Sequence, residues 1–180
     1  MSQSAVPAPG IYNVDPSHST VAFSARHLMV SKVRGRFTDF SGVITIAEQP
    51  LDSSVEAVVQ TASITTNDEQ RDAHLKYADF LDVETYPPFQ VRSTSLRKDG
   101  SDYVLLADIT IKGVTKALEF ELEFEGAQQD PWGGSRIGFS AEAEFNRKDF
   151  GMEWNVVLET GGLLVGEKVK ITLDVEAVKA

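Results

Sequence analysis

The chain has 180 residues, 42% hydrophobic and 24% charged, which suits one domain with a real core. It has no cysteine, so disulfides, thiolate catalysis and Cys-ligated metal are excluded. A formal net charge of −10 and a pI near 4.7 weigh against nucleic acid as a partner and against steady adhesion to anionic lipid headgroups.

Residues 1–10, MSQSAVPAPG, are small, polar and Pro-rich and read as a flexible tail, with a single folded domain over 11–180. The tail lacks the basic and apolar regions of a secretory signal, so a cytoplasmic location is expected. Period-two alternation then dominates. Val21, Phe23 and Ala25 share a face in STVAFSAR; SGVITIAEQ, SVEAVVQTASI, the run opened by Phe89 and Val91, and YVLLADITIKG follow. In ALEFELEFEG, Leu118, Phe120, Leu122 and Phe124 oppose Glu119, Glu121, Glu123 and Glu125. After a hairpin loop at QQDPWGGS, Ile137, Phe139, Ala141, Ala143 and Phe145 share one face, and Val169, Ile171, Leu173, Val175 and Ala177 another. One wet face per strand is the mark of antiparallel sheet. A single segment, TNDEQRDAHLKYA at 66–78, favours a helix, with Thr66 and Glu69 spaced as a capping box. Pro87 and Pro88 prevent it from continuing. About eight one-sided strands stack as a sandwich or close into a barrel, and closure removes exposed edges. No stretch approaches the ~20 continuous apolar residues of a membrane span, so an integral membrane protein is not expected.

Eight strands make a barrel that side chains can just fill or that can hold one slender ligand. The inward set mixes large Phe with small Ala25, Ala107, Ala141 and Ala143, which fits either a tapered core or free space. The alternation pattern alone leans toward a packed core and leaves cargo open.

Chemistry-bearing patterns are sparse. The three histidines, His18, His27 and His74, show no HExxH, and there is no GxSxG, GxGxxG or GxxxxGK. A catalytic zinc site therefore has weak support, while His18 or His74 can form a His–Asp pair with Asp15, Asp72 or Asp79. His18 reads as a pin at a strand start, and Arg71, Asp72 and His74 as a network anchoring the helix, with a polar cavity mouth as the alternative. Arg34 and Arg36 read as a solvated strand face, with anion recognition as the alternative.

Five stretches, in order, resemble the bacterial YceI-like family of lipocalin-like, polyisoprenoid-binding proteins. They are YNVDPSHSTVAFSARHLMVSKVRGRF, ASITTNDEQRDAHLKYADFLDVETYPPF, ITIKGVTK, NRKDFG and VGEKVKI, spanning about residues 11 to 177. Glu167 stands where the family often has Asp. The resemblance implies an all-β fold: an extended antiparallel eight-stranded lipocalin-like β-barrel with one short helical excursion at about 67–82. It also implies an elongated apolar cavity for an isoprenoid lipid, polyprenyl phosphate or long-tailed quinone, held for sequestration, storage or transport. It implies no enzymatic activity and no cofactor, and a homodimer as assembly. Many family members are periplasmic or secreted. On this basis Phe23, Phe120, Phe124, Phe139 and Phe145 are expected to line the cavity by inward parity and bulk, and Leu75 and Phe80 to close one end. His27, Arg34 and Arg71 are expected at the polar head. Two rival expectations are an enzyme using a His/Asp pair in the same cavity and a packed interaction module.

Overall fold

The computed structural model describes residues 7–28, 30–155 and 165–180. Its strands in chain order are β1 (Gly10–Val14), β2 (Thr20–His27), β3 (Ser31–Phe37), β4 (Phe40–Ile46), β5 (Ser54–Gln60) and β6 (Ile64–Thr65). After helix α1 (Glu69–Lys76) come β7 (Pro88–Asp99), β8 (Asp102–Ile111), β9 (Val114–Gln129), β10 (Ser135–Asn146) and β11 (Val165–Lys179).

The first six strands are three long strands, each broken once. A 3-10 turn at Pro16–His18 divides β1 from β2, Thr38 and Asp39 divide β3 from β4, and a 3-10 turn at Thr61–Ser63 divides β5 from β6. Pairing carries across each break: Gly10 faces Ile46 and Val21 faces Phe37, while Phe40 faces Val59 and Phe37 faces Ile64. Counted this way, eight antiparallel strands pair in sequence order and β11 returns to the first, with Val14 opposite Ala177 and Phe23 opposite Ile171. The result is the expected closed eight-stranded barrel. The ring proper closes through β1 and β11; β2, β3 and β6 extend one end, which we call the upper end, and α1 lies against β6 there.

Parity sorts the side chains as the alternation requires. Glu119, Glu121, Glu123 and Glu125 are exposed on the outside of β9, whereas Phe120 is 2% exposed inside. One core cluster fills the upper part, around Val21, Phe37, Phe80, Phe89, Ile109 and Phe150. A smaller one, of Tyr12, Ile44, Ile46, Ile137 and Ala177, fills the lower end.

The helix departs from expectation in two ways. Its cap is Asp68, whose carboxylate accepts the Arg71 N–H at 3.0 Å, rather than Thr66. Thr66 is instead buried, donating its N–H (2.7 Å) and hydroxyl (2.5 Å) to Asp72. The helix also ends at Lys76, short of residue 82, because hydrogen-bonded turns and a left-handed Asp82 (φ 49°) lead the chain to Pro87. No helix among the described residues is long and apolar enough to cross a membrane. Of the tail expected over residues 1–10, positions 1–6 lie outside the described residues; the Tyr12 hydroxyl donates to Ala8 O at 2.8 Å, and Gly10 opens β1.

Candidate functional site

Among the described residues, two apolar cavities lie in the barrel interior. The lower, about 180 Å³, is walled by residues including Phe40, Leu105, Phe120, Leu122, Phe124, Phe139, Ala141, Leu173 and Val175, and reaches Pro7, Pro50 and Ser53 at the lower rim. The upper, about 110 Å³, is walled by Phe23, Ala25, Phe37, Leu75, Phe80, Phe145, Arg147, Met152 and Val169, among others. Val21, Phe89 and Ile171 belong to both walls, so the two spaces lie end to end along the barrel. Small inward residues make the room: Ala141 and Ala57 in the lower wall, Ala25 in the upper. Gly35 makes more. It faces Phe23 across the β2–β3 pair, and a Cβ there would stand 2.5 Å from the Phe23 ring. Only glycine lets that ring lie across the strand into the upper cavity.

All seven hydrophobic residues singled out from the sequence stand in these walls, Phe120, Phe124 and Phe139 in the lower, Phe23, Phe145, Leu75 and Phe80 in the upper. The polar candidates are placed differently. Arg34 is exposed on the outer face of β3. Arg71 is exposed too, its Nε donating to Thr66 Oγ1 (2.7 Å) and its Nη2 to Thr66 O (2.8 Å), so its guanidinium clamps the loop before α1. His27 ends β2, opposite Ser31 and Val165, and is not among the residues walling either cavity.

The charged group in the upper wall is Arg147, which the sequence reading passed over. It is 2% exposed. Asn146 caps the 3-10 turn at Arg147–Phe150 by accepting the Lys148 N–H, and Gly151 (φ 80°) ends it. The turn aims Arg147 inward, where Nε donates to Gly166 O (3.0 Å), Nη1 to Met152 O (2.7 Å) and Nη2 to Val165 O (3.3 Å). Its guanidinium carbon lies 5.8 Å from the Phe80 ring centroid. Burial lowers its pKa, against the opposing pull of Glu167. Glu167 itself pairs with Lys148 at 2.8 Å, which holds its carboxyl below the ordinary value. Among the described residues no carboxylate comes within ion-pair distance of Arg147. Parity could have found it: in β10 the inward positions run 137, 139, 141, 143, 145, and 147 is next.

Two His/Asp pairs exist, and neither lies in a cavity wall. His18 Nδ1 is 2.9 Å from Asp15 at the β1–β2 break, and His74 Nε2 is 2.9 Å from Asp79, with the His74 ring against Trp154 at 4.6 Å. Asp15 and Glu176 with His18 form an acidic cluster of the kind that can hold a cation, but a guanidinium already reaches into it. Arg136 Nη1 lies 2.9 Å from Asp15 and 3.2 Å from Glu176, and its Nε lies 3.0 Å from Asp130.

A match to the YceI-like domain covers residues 12–177, nearly the whole of the barrel. The chain belongs to the YceI-like family. It is 38% identical to Protein YceI of Escherichia coli over 171 residues, 93% of this chain and 86% of that one. It is 36% identical to Protein YceI of Salmonella newport over the same coverage. Solved structures share the YceI-like barrel. BcnA of Burkholderia cenocepacia superposes with a TM-score of 0.79 at 19% identity, covering 91% of this chain and 98% of that one. A Campylobacter jejuni YCEI protein does so at 0.72 and 26% identity, covering 86% and 90%. A polyisoprenoid binding domain from Saccharophagus degradans does so at 0.72 and 15% identity, covering 96% and 100%. At such identities the first and last of these likenesses concern the fold of the YceI-like chain.

Proposed function

We propose that this YceI-like barrel binds a long-chain isoprenoid lipid, the tail along the two cavities and the polar head at the Arg147 end. The observation that carries the reading is an apolar lining continued through both spaces, with a buried cation in the wall of the upper one. Phe23, Phe120, Phe124, Phe139, Phe145, Leu75 and Phe80 would touch the tail. Each CH₂ removed from water is worth about 0.8 kcal/mol, so even a few prenyl units supply useful affinity. An apolar tube discriminates poorly between tail lengths, which leaves selectivity to the head. There the buried guanidinium favours a phosphate over a quinone carbonyl: three of an arginine's roughly five N–H donors meet backbone carbonyls, leaving others for an anion. A cavity of roughly 150 Å³ is enough for benzene, so a tail of many units requires the lining side chains to move apart. That both His/Asp pairs stand off the walls of the two cavities supports holding and carrying over catalysis by a His/Asp pair.

Titration with polyprenyl phosphate and with the matching polyprenol, read by native mass spectrometry, tests this. One-to-one adducts are expected for both, tighter for the phosphate, and Ala141→Leu, which fills the lower cavity, should weaken both at least about tenfold. No adduct with either probe overturns the reading.

A further inference from the structure

The net charge of −10 hides an uneven distribution. Residues 20–37, which form the β2–β3 hairpin, carry Arg26, Lys32, Arg34 and Arg36 and none of the chain's 27 acidic residues. All four cations are exposed and share the outer face of the hairpin. Arg26 stands directly opposite Lys32, Arg34 opposite Ser24, and Arg36 opposite Ala22. None of the four takes part in an ion pair among the described residues. Like charges directly opposite in a sheet destabilise it, so this row works against the local stability of the pair. The hairpin tip is equally unusual. Leu28 adopts φ 53° and is 39% exposed, and Val30 is 82% exposed. A tight hairpin turn ordinarily places Asn or Gly at a positive φ, and a leucine there carries backbone strain. Here the strain turns apolar side chains to the solvent beside a row of cations.

We infer that the β2–β3 hairpin docks the barrel onto an anionic lipid bilayer, its tip in the headgroup region and its basic row on the lipid phosphates. A nucleic acid or an acidic protein would satisfy the cations and leave Leu28 and Val30 in water; a bilayer takes both. The acidic row on β9 lies three strands away round the barrel, and charges farther than a Debye length of ~8 Å from the surface are largely screened. The hairpin also adjoins the cavity. Val165, opposite His27, gives its carbonyl to Arg147, and Gly166 lies against Arg26. As the place where a tail leaves the membrane for the barrel, this surface rests on the lipid-binding reading above.

The test is sedimentation with vesicles of phosphatidylglycerol and phosphatidylcholine, against vesicles of phosphatidylcholine alone. Each basic residue at an anionic surface is worth about fivefold in affinity, so the triple variant R26E/K32E/R36E should bind the anionic vesicles on the order of 100-fold more weakly or worse. A second variant, L28N/V30S, keeps every cation and suits the positive φ at position 28; it should lose about tenfold. Binding should fade as salt is raised. Equal binding of the native chain to both vesicle types, no loss in either variant, or retention of a short duplex DNA as tightly as the anionic vesicles overturns the inference. Uptake of polyprenyl phosphate from detergent bypasses the bilayer and separates the two readings. Vesicle binding without uptake overturns the cavity reading alone, and uptake without vesicle binding overturns the docking surface alone.

Discussion

Arg147 holds together the part of the upper end where β10 leaves the barrel and β11 enters it. It donates to three carbonyls, of Met152, Val165 and Gly166, of which Val165 also accepts from Asn155 Nδ2 at 2.7 Å. Removing a partner from a buried polar group costs about 1–3 kcal/mol per group. Arg147→Met leaves the Met152 and Gly166 carbonyls without this donor and should therefore lower unfolding free energy by at least about 2 kcal/mol in a denaturant titration, and Arg147→Lys, which cannot span three acceptors, should fall in between. Unchanged stability in both would show that the carbonyls find other donors. The residue scale is also where the sequence was hardest to read. Arg34 and Arg71 attract attention because guanidinium suits anions, yet an arginine's usefulness depends on which way its backbone aims it. Arg34 falls on the outward parity of β3 and Arg71 on an exposed helix turn. The strand phenylalanines Phe23, Phe120, Phe124, Phe139 and Phe145 are legible for the opposite reason, since parity alone decides which way a phenylalanine in a strand points; Leu75 and Phe80 lie off the strands.

At the scale of elements, period-two alternation locates most of the strands, because it records one wet and one dry face; the short β1, which pairs with β4 and closes the ring on β11, is not read from it. The alternation does not reveal that three of the long strands are broken, since a break shows only as a change of phase between one run and the next: the inward positions pass from Tyr12 and Val14 to Val21 and Phe23, from Phe37 to Phe40, and from Val59 to Ile64. Nor did it anticipate the fastening at the first break. There Asp15 accepts the Ser17 N–H and side chain, and Arg136 of β10 bridges Asp15, Glu176 of β11 and Asp130 of the β9–β10 loop. No local pattern joins residues so distant in the chain. The hydrogen bonds from Ser17, Arg136 and His18 hold the Asp15 carboxyl well below its ordinary value of 3.8, and those from Gly134 and Arg136 lower Asp130 as well. A carboxyl depressed in the folded state adds stability that is complete above the unfolded value and is lost as pH falls from there through the folded one. Melting temperature should thus drop steeply below about pH 4. Asp15→Asn should melt lower at neutral pH and show a shallower acid limb; parallel curves for the two proteins would remove Asp15 from the account.

The whole molecule offers a reporter of its own. Of its two tryptophans, Trp132 is 87% exposed in the lower-end loop, while Trp154 packs on Phe80 at 5.6 Å beside the upper cavity. In the variant Trp132→Phe, uptake of a prenyl tail should shift Trp154 emission to the blue in proportion to the adduct seen by mass spectrometry. Saturated binding with constant emission would place the tail away from the upper cavity. The barrel's topology has a separate outcome, in time. Because the eight long strands pair in sequence order, nearly every contact of the sheet forms between chain neighbours, as a succession of hairpins. One seam does not: the Ser19 hydroxyl meets the Glu176 carbonyl across 157 positions. Loop-closure entropy and the slowness of non-local pairing therefore fall on that seam. Its formation is the event that turns a curled ribbon of hairpins into a container, and the last strand, β11, is the one that must arrive before anything can be enclosed.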